Sequence, residues 1–100
     1  MEFRTQAQED VLETMSLDEY LIENKEATFM MRASGDSMRS EGIFRGDLLI
    51  IDRSRTARAG DIAVVVDNGA FRMMRCGDLN TSVEELKVEA VVTAVIRKLV

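Results

Sequence analysis

The chain has 100 residues, of which 46% are hydrophobic and five are aromatic, and its formal net charge is −5. This length suits a single domain with one modest core. One cysteine and no histidine exclude an internal disulfide and a Cys–His dyad, and we expect neither a metal nor a cofactor. No apolar run is long enough to cross a membrane and the first residues do not follow signal-peptide order, so we expect a cytoplasmic protein.

The acidic residues are concentrated at the start of the chain. Residues 1–36 contain nine acids and three bases, whereas residues 37–100 contain nine acids and ten bases. We therefore divide the chain into an acidic N-terminal arm, residues 1–26, and a body, residues 27–100. Within the arm, the Ser-x-x-Glu spacing of Ser16 and Glu19 predicts a short helix that runs to about Asn24.

Two apolar runs separated by a glycine-rich bend open the body. The first, residues 27–32, reads as a strand, and the second, Leu48 to Asp52, is apolar on both faces and predicts a buried strand. Between them, Gly35 permits a sharp turn before Ser37. We predict one helical turn from Ser37 to Ser40, ended by Gly42.

Further short strands follow at regular spacing. A third strand is predicted over residues 62–66, and Asp67-Asn68-Gly69 has the sequence of a tight hairpin that returns residues 70–75 antiparallel to it. Residues 77–82 read as a polar turn. Residues 86–99 are rich in β-branched side chains and predict one long bent strand or two short ones. The sequence thus predicts a mostly β domain. The run Val88–Ile96 has two interpretations, a strand edge exposed for dimerisation or a strand of the core.

The segment Ser34-Gly35-Asp36-Ser37-Met38 has the features that a nucleophilic serine requires. Its hydroxyl needs an exposed position on a turning backbone, and a helix that begins at Ser37 would direct N–H groups toward a developing oxyanion. On composition alone the segment also fits an ordinary strand–turn–strand junction, because Gly, Ser and Asp are common in turns.

This segment resembles the nucleophile region of the LexA/UmuD family of Ser–Lys self-cleaving proteins. The resemblance continues along most of the chain, through residues 42–53, 60–64, 68–71 and 91–99. It implies a single compact LexA/UmuD C-terminal-like β-fold with short helical turns, and it implies that Ser37 occupies the nucleophile position.

The position of the general base departs from the family pattern. The family places its lysine in a Gly-x-Phe-x-x-Lys pattern, which here reads Gly69-Ala70-Phe71-Arg72-Met73-Met74, so Met74 occupies the base position, 37 residues after Ser37. A thioether cannot accept the proton, and loss of the base from such a dyad costs on the order of 10⁴-fold in rate. Of the remaining lysines, Lys25 falls in a polar helix end, and Lys87 and Lys98 belong to the last strand. We therefore expect an inert Ser37 whose hydroxyl caps the following turn.

Two more departures concern the substrate and the cleft. Family members cut an Ala-Gly or Cys-Gly bond upstream of the serine, but here Ala59-Gly60 and Cys76-Gly77 both lie downstream of it. The connection between Cys76 and Val88 is also shorter than is usual in the family. The chain most resembles the processed UmuD′ form, with its short arm.

The resemblance implies an accessory subunit of a Y-family translesion polymerase in the SOS response to DNA damage. The partners that it implies are a second copy of the chain, the polymerase subunit and a recombinase filament. We expect no direct sequence-specific DNA binding, because the net charge is acidic and no basic helix is evident. Two alternatives stay open: an active serine autopeptidase that uses another base, and a phage- or plasmid-type decoy that forms mixed dimers with a host homologue.

Overall fold

A computed structural model describes residues 13–77 and 87–100 of the chain. Over these residues the fold is mostly β, as the sequence predicts. Its elements in chain order are α1 (Leu17–Leu21), a 3-10 turn (Lys25–Ala27), β1 (Thr28–Arg32), a second 3-10 turn (Arg39–Glu41), β2 (Leu48–Asp52), β3 (Ile62–Asp67), β4 (Ala70–Arg75) and β5 (Lys87–Ile96). No helix within the described residues is long and apolar enough to span a membrane.

The strands form one antiparallel sheet in the order β1-β2-β5-β3-β4. The hairpin between β3 and β4 follows from its turn, where Asn68 and Gly69 both have positive φ, 54° and 81°. Such a turn matches the right-handed twist of the two strands that it joins. The prediction of this hairpin is confirmed, and its register pairs Ala63 with Met74 and Val64 with Met73.

Of the two interpretations of the last strand, the core strand is confirmed and the exposed edge is wrong. β5 lies in the middle of the sheet, where it pairs with β2 on one side and β3 on the other. Its two register shifts, opposite Ile50/Ile51 and Val64/Val65, bend one continuous strand. The edges of the described sheet are β1 and β4, and the predicted polar turn at residues 77–82 lies outside the described residues apart from Gly77.

Alternating side chains divide the core between the two faces of the sheet. One cluster joins Ala33, Met38 and Ile43 of the β1–β2 connection to strand residues that include Leu49, Val64 and Ala90. A smaller cluster on the other face contains Ala63, Val65 and Cys76, with Met74 packed against it. The connection between β1 and β2 is thus itself a layer of the core.

The part of the arm that the structure describes is held by a few polar contacts. Ser16 caps α1 by accepting hydrogen bonds from the N–H groups of Asp18 and Glu19, so the predicted helix start is confirmed, although the helix ends at Leu21. No residue of α1 is buried. Arg55 donates to Glu23 at 2.8 Å, and the Thr28 hydroxyl donates to the Asn24 carbonyl at 2.6 Å. The division into residues 1–26 and 27–100 stays a prediction.

Candidate functional site

Ser37 lies on the connection between β1 and β2, here called the serine loop (residues 33–47). Two backbone hydrogen bonds close the base of this loop. The Ala33 N–H donates to the Asp47 carbonyl at 2.9 Å, and the Gly46 N–H donates to the Ala33 carbonyl at 2.8 Å. Met38 is buried in the core, whereas the adjacent Ser37 is exposed. A buried anchor beside an exposed hydroxyl holds that hydroxyl at the surface.

The helical turn after Ser37 begins later than predicted. It is a 3-10 turn over Arg39–Glu41, and Gly42 ends it with φ of 88°. Met38 occupies the N-cap position and no side chain caps the turn, so the expected cap by the Ser37 hydroxyl is wrong. The Arg39 N–H donates to the Asp36 carbonyl at 3.1 Å, which makes the bend around Ser37 a turn rather than the first residue of a helix.

An ion pair between a buried carboxylate and a half-exposed guanidinium fixes one side of the serine loop. Asp47 is only 2% exposed, and Arg97, the residue after β5, donates to its two oxygens at 2.8 and 2.6 Å. The same guanidinium donates to the Gly42 carbonyl at 3.0 Å and lies 4.4 Å from the centroid of the Phe44 ring. These contacts attach the serine loop to the C-terminal end of the central strand.

The Arg97 guanidinium also explains the acidity of Asp47. Its hydrogen bonds, followed by that from the Phe44 N–H, lower the pKa of the Asp47 carboxyl to about 2. The pKa of Arg97 is raised in turn by the hydrogen bond to Asp47. This pair was not predicted from the sequence. Its only signal there is a lone aspartate before an apolar strand, and nothing in the sequence indicates which arginine contacts it.

A second ion pair fixes the other side of the serine loop. Arg75, at the end of β4, donates from Nε to the Glu41 carboxylate at 2.8 Å and also contacts the Gly60 carbonyl. Its hydrogen bond lowers the pKa of Glu41. The loop is therefore attached both to the central strand and to the edge strand β4.

Ser37 and Met74 both line one open groove between the serine loop and residues of β1, β2, β3 and β4, here called the serine groove. Its volume is about 560 Å³. The lining residues are Met31, Arg32, Ala33, Ser34, Gly35, Ser37, Met38, Leu49, Val64, Phe71, Arg72, Met73 and Met74. The wall is mostly apolar, and its titratable side chains are two arginines. None of the lining residues is a lysine.

Met73 and Met74 occupy alternate positions of β4. Met73 packs against the core cluster that contains Met38, the neighbour of Ser37, whereas Met74 packs against the cluster on the other face of the sheet. Both nevertheless line the serine groove. The assignment of Met74 to the base position stays a prediction.

A second apolar cavity continues the serine groove across the sheet. Its volume is about 330 Å³, and it shares Met31, Val64 and Phe71 with the serine groove. Phe29 and Phe71 stand at its two sides and are 49% and 61% exposed. The two cavities are therefore adjacent.

The Cys76 thiol does not line either of these two cavities. Cys76 is buried, and burial, with a smaller contribution from Asp61, raises the pKa of its thiol, so it is not a thiolate nucleophile at neutral pH. No group of three His, Cys, Asp or Glu side chains among the described residues is arranged to hold a metal ion.

Comparison with known proteins gives the same picture as the sequence. The sequence profile of the family described as peptidase S24-like matches residues 3–89. The ImpA protein of Salmonella typhimurium is 41% identical over 61 residues, which cover 61% of this chain and 42% of ImpA. The SamA protein of Salmonella typhimurium strain LT2 is 34% identical over 99 residues, covering 86% of this chain and 71% of SamA.

A repressor is similar over a shorter region. The LexA repressor of Sorangium cellulosum is 40% identical over 60 residues, which cover 60% of this chain and 26% of the repressor. The chain thus spans less than half of ImpA and about a quarter of this LexA repressor. The family match extends over most of the chain, and it includes both the serine loop and β4. The chain therefore belongs to the peptidase S24-like family, the family of the LexA/UmuD proteins that its sequence resembles.

Proposed function

We propose that this protein is a UmuD′-like accessory subunit of a Y-family translesion polymerase, acting in the SOS response, and that it has lost self-cleavage. One observation supports the loss of self-cleavage: the groove that exposes Ser37 has no lysine in its lining, and it contains Met74, the residue that the family resemblance assigns to the base position. A serine hydroxyl without an adjacent base is a poor nucleophile.

The other basic side chains do not supply the missing base. Arg32 and Arg72 line the serine groove, but a guanidinium stays protonated in proteins. Lys87 lies 3.4 Å from Glu89 in an ion pair, and Lys98 lines a different cavity at the end of the sheet. Lys25 is exposed in the 3-10 turn of the arm.

The proposed partners come from the family resemblance: a second copy of the chain, the polymerase subunit and a recombinase filament, in the cytoplasm. The position of β5 limits how two copies associate. Both sides of β5 are already paired, so pairing between copies would use the β1 or β4 edge, or the faces of the sheet. Binding of these partners does not require a reactive Ser37.

The experiment that tests the loss of self-cleavage restores the base. We expect Met74→Lys to cut an added arm of an intact family member in trans, and we expect Met74→Lys combined with Ser37→Ala not to cut. The groove is mostly apolar, so the new amine should have a lowered pKa, and cleavage should rise with pH between 7 and 10. Products are measured by mass spectrometry.

Met73→Lys is the matched control for this experiment. It adds the same side chain one position earlier on β4, where the side chain packs against the main core. We expect no cleavage from this variant. Cleavage by the unmodified protein would contradict the loss of self-cleavage, and equal cleavage by both lysine variants would contradict the role of position 74.

The accessory role has its own test. We expect the purified protein to bind a purified Y-family polymerase in calorimetry, and Ser37→Ala to bind equally well. Failure to bind would overturn the accessory role without affecting the conclusion about cleavage.

A further inference from the structure

A cavity at the opposite side of the serine loop has a different chemistry from the serine groove. It lies where β1, β2 and β5 reach one end of the sheet, and its volume is about 380 Å³. Phe44, Leu48 and Ile96 form an apolar wall. Four cationic side chains surround that wall, from Arg32, Arg45, Arg97 and Lys98, and Asp47 is the only acid that lines it. We call it the cationic cleft.

Most of this positive charge is not neutralised by the described residues. Asp47 is buried, and both of its carboxylate oxygens accept hydrogen bonds from Arg97. Arg32 donates to the neutral Gly46 carbonyl at 3.0 Å. Arg45 meets Asp36 only at 3.7 Å, and both side chains are exposed. Lys98 forms no ion pair with any residue in the described part of the chain. Two to three positive charges therefore face solvent beside an apolar wall.

The acidic part of the arm that the structure describes lies elsewhere. Glu23 contacts Arg55, and Tyr20, Leu21 and Glu23 line a cavity with Asp52, at the end of β2 away from Leu48. Leu48 and Asp52 are four residue steps apart along β2, which corresponds to a distance of about 13 Å. Residues 13–26 therefore leave the cationic cleft open.

We propose that the cationic cleft binds an acidic peptide segment of a partner protein, one that also carries an apolar side chain. The free cations match carboxylates, and the wall of Phe44, Leu48 and Ile96 matches an aliphatic or aromatic side chain. This inference is independent of the proposed function. The cleft and the serine groove share only one lining residue, Arg32.

A peptide fits the cleft better than a nucleic acid does. Base stacking needs an open aromatic face, but the Phe44 ring is already in contact with Arg39 and Arg97, at 4.9 and 4.4 Å from its centroid. Phosphates bury no apolar surface against this wall, whereas an apolar peptide side chain does, and that burial stabilises the complex.

The test measures binding of short fluorescein-labelled peptides by anisotropy at low salt. The first peptide alternates Asp or Glu with Leu or Phe, the second has Asn and Gln in place of the acids, and the third has Ser in place of the apolar residues. A single-stranded oligonucleotide is the fourth probe. We expect only the first peptide to bind well, and we expect its affinity to fall as salt rises, because exposed charges are screened.

The variant that tests the site is Lys98→Glu combined with Arg45→Glu. Both side chains are exposed, so the fold should be retained, and we expect at least about a tenfold loss of affinity. The matched control is Lys25→Glu combined with Arg58→Glu, which changes the net charge equally at exposed positions away from the cleft. We expect the control to bind within about twofold of the unmodified protein.

Amide NMR shifts locate the bound peptide and decide the remaining outcomes. We expect changes at Leu48 and Ile96 rather than at Val64 and Met73 of the serine groove and its core. The proposal is overturned if the first peptide does not bind, if both variants lose equal affinity, if the shifts fall on the serine groove, or if the oligonucleotide binds more tightly than the peptide.

Discussion

Asp47 shows how one side chain couples distant parts of this chain. It lies at the base of the serine loop, where it accepts a hydrogen bond from the Phe44 N–H at 2.8 Å and two from Arg97, 50 positions later. The carboxylate must be ionised to keep these three bonds. The position of Ser37 therefore depends on the charge of a residue that does not line its groove.

We predict that Asp47→Asn lowers the unfolding temperature by several degrees. We also predict that the unfolding temperature of this variant depends less on pH than that of the unmodified protein. The folded-state pKa of Asp47 is about 2, below the ordinary value of about 3.9, so its contribution is complete above about pH 4 and is lost as the pH falls through about 2. Thermal unfolding followed by circular dichroism between pH 2 and 7 measures this difference.

Asp36→Asn is the control for that measurement. Asp36 lies in the same loop, but its ion pairs with Arg39 and Arg45 are long, 3.9 and 3.7 Å, and exposed. Such pairs contribute little to stability. If Asp36→Asn and Asp47→Asn reduce the unfolding temperature equally, the special role of the Asp47–Arg97 pair is wrong.

At the scale of elements, the β3–β4 hairpin depends on its glycine. Gly69 has φ of 81°, and a Cβ added there would meet no atom within 4 Å, so the cost of a side chain comes from the backbone conformation alone. We predict that Gly69→Ala reduces the free energy of unfolding by about 1 to 2 kcal/mol. Urea unfolding at equilibrium measures the change.

Gly35→Ala provides the matched comparison. Gly35 has equally open surroundings but is not among the glycines with positive φ. We expect this variant to be within about 0.5 kcal/mol of the unmodified protein. A comparable loss in both variants would mean that the backbone conformation of Gly69 does not set its importance.

The elements that the sequence predicts well are those that form locally. The hairpin at Asn68-Gly69, the buried strand Leu48–Asp52 and the Ser16 cap each depend on neighbouring residues. The position of β5 depends instead on pairing with β2, which is distant in the sequence, and with β3, so its β-branched run alone did not distinguish a core strand from an exposed edge. The same limit applies to the site, where the motif around Ser37 was evident but the Asp47–Arg97 pair was not.

At the scale of the whole molecule, the described arm lies on the body without entering its core. Its helix α1 has no buried residue, and an exposed ion pair, Arg55–Glu23, contributes to its attachment. We predict that a glutamate-specific protease cuts first within residues 13–26 and leaves a body that still unfolds cooperatively within a few degrees of the intact protein. Mass spectrometry and thermal unfolding of the product measure this.

Arg55→Gln should accelerate that cut, because it removes the contact with Glu23. Arg53→Gln, which instead removes an ion pair with Glu89 of β5, should leave the rate of the cut unchanged. A body that unfolds as soon as the arm is cut would show that the division at residues 26 and 27 is wrong.

The central place of β5 also determines when the sheet can be completed as the polypeptide is synthesised. β1 with β2 and β3 with β4 are antiparallel pairs that can assemble early. Neither pair contacts the other as a neighbour in the described sheet until β5, the last of these five strands to be synthesised, enters between them. Until then, the inner edges of β2 and β3 are unpaired and available to other chains. Chains that lack β5, whether nascent or truncated, are therefore the forms of this protein most exposed to aggregation. Their dependence on chaperones should fall once β5 has paired with β2 and β3.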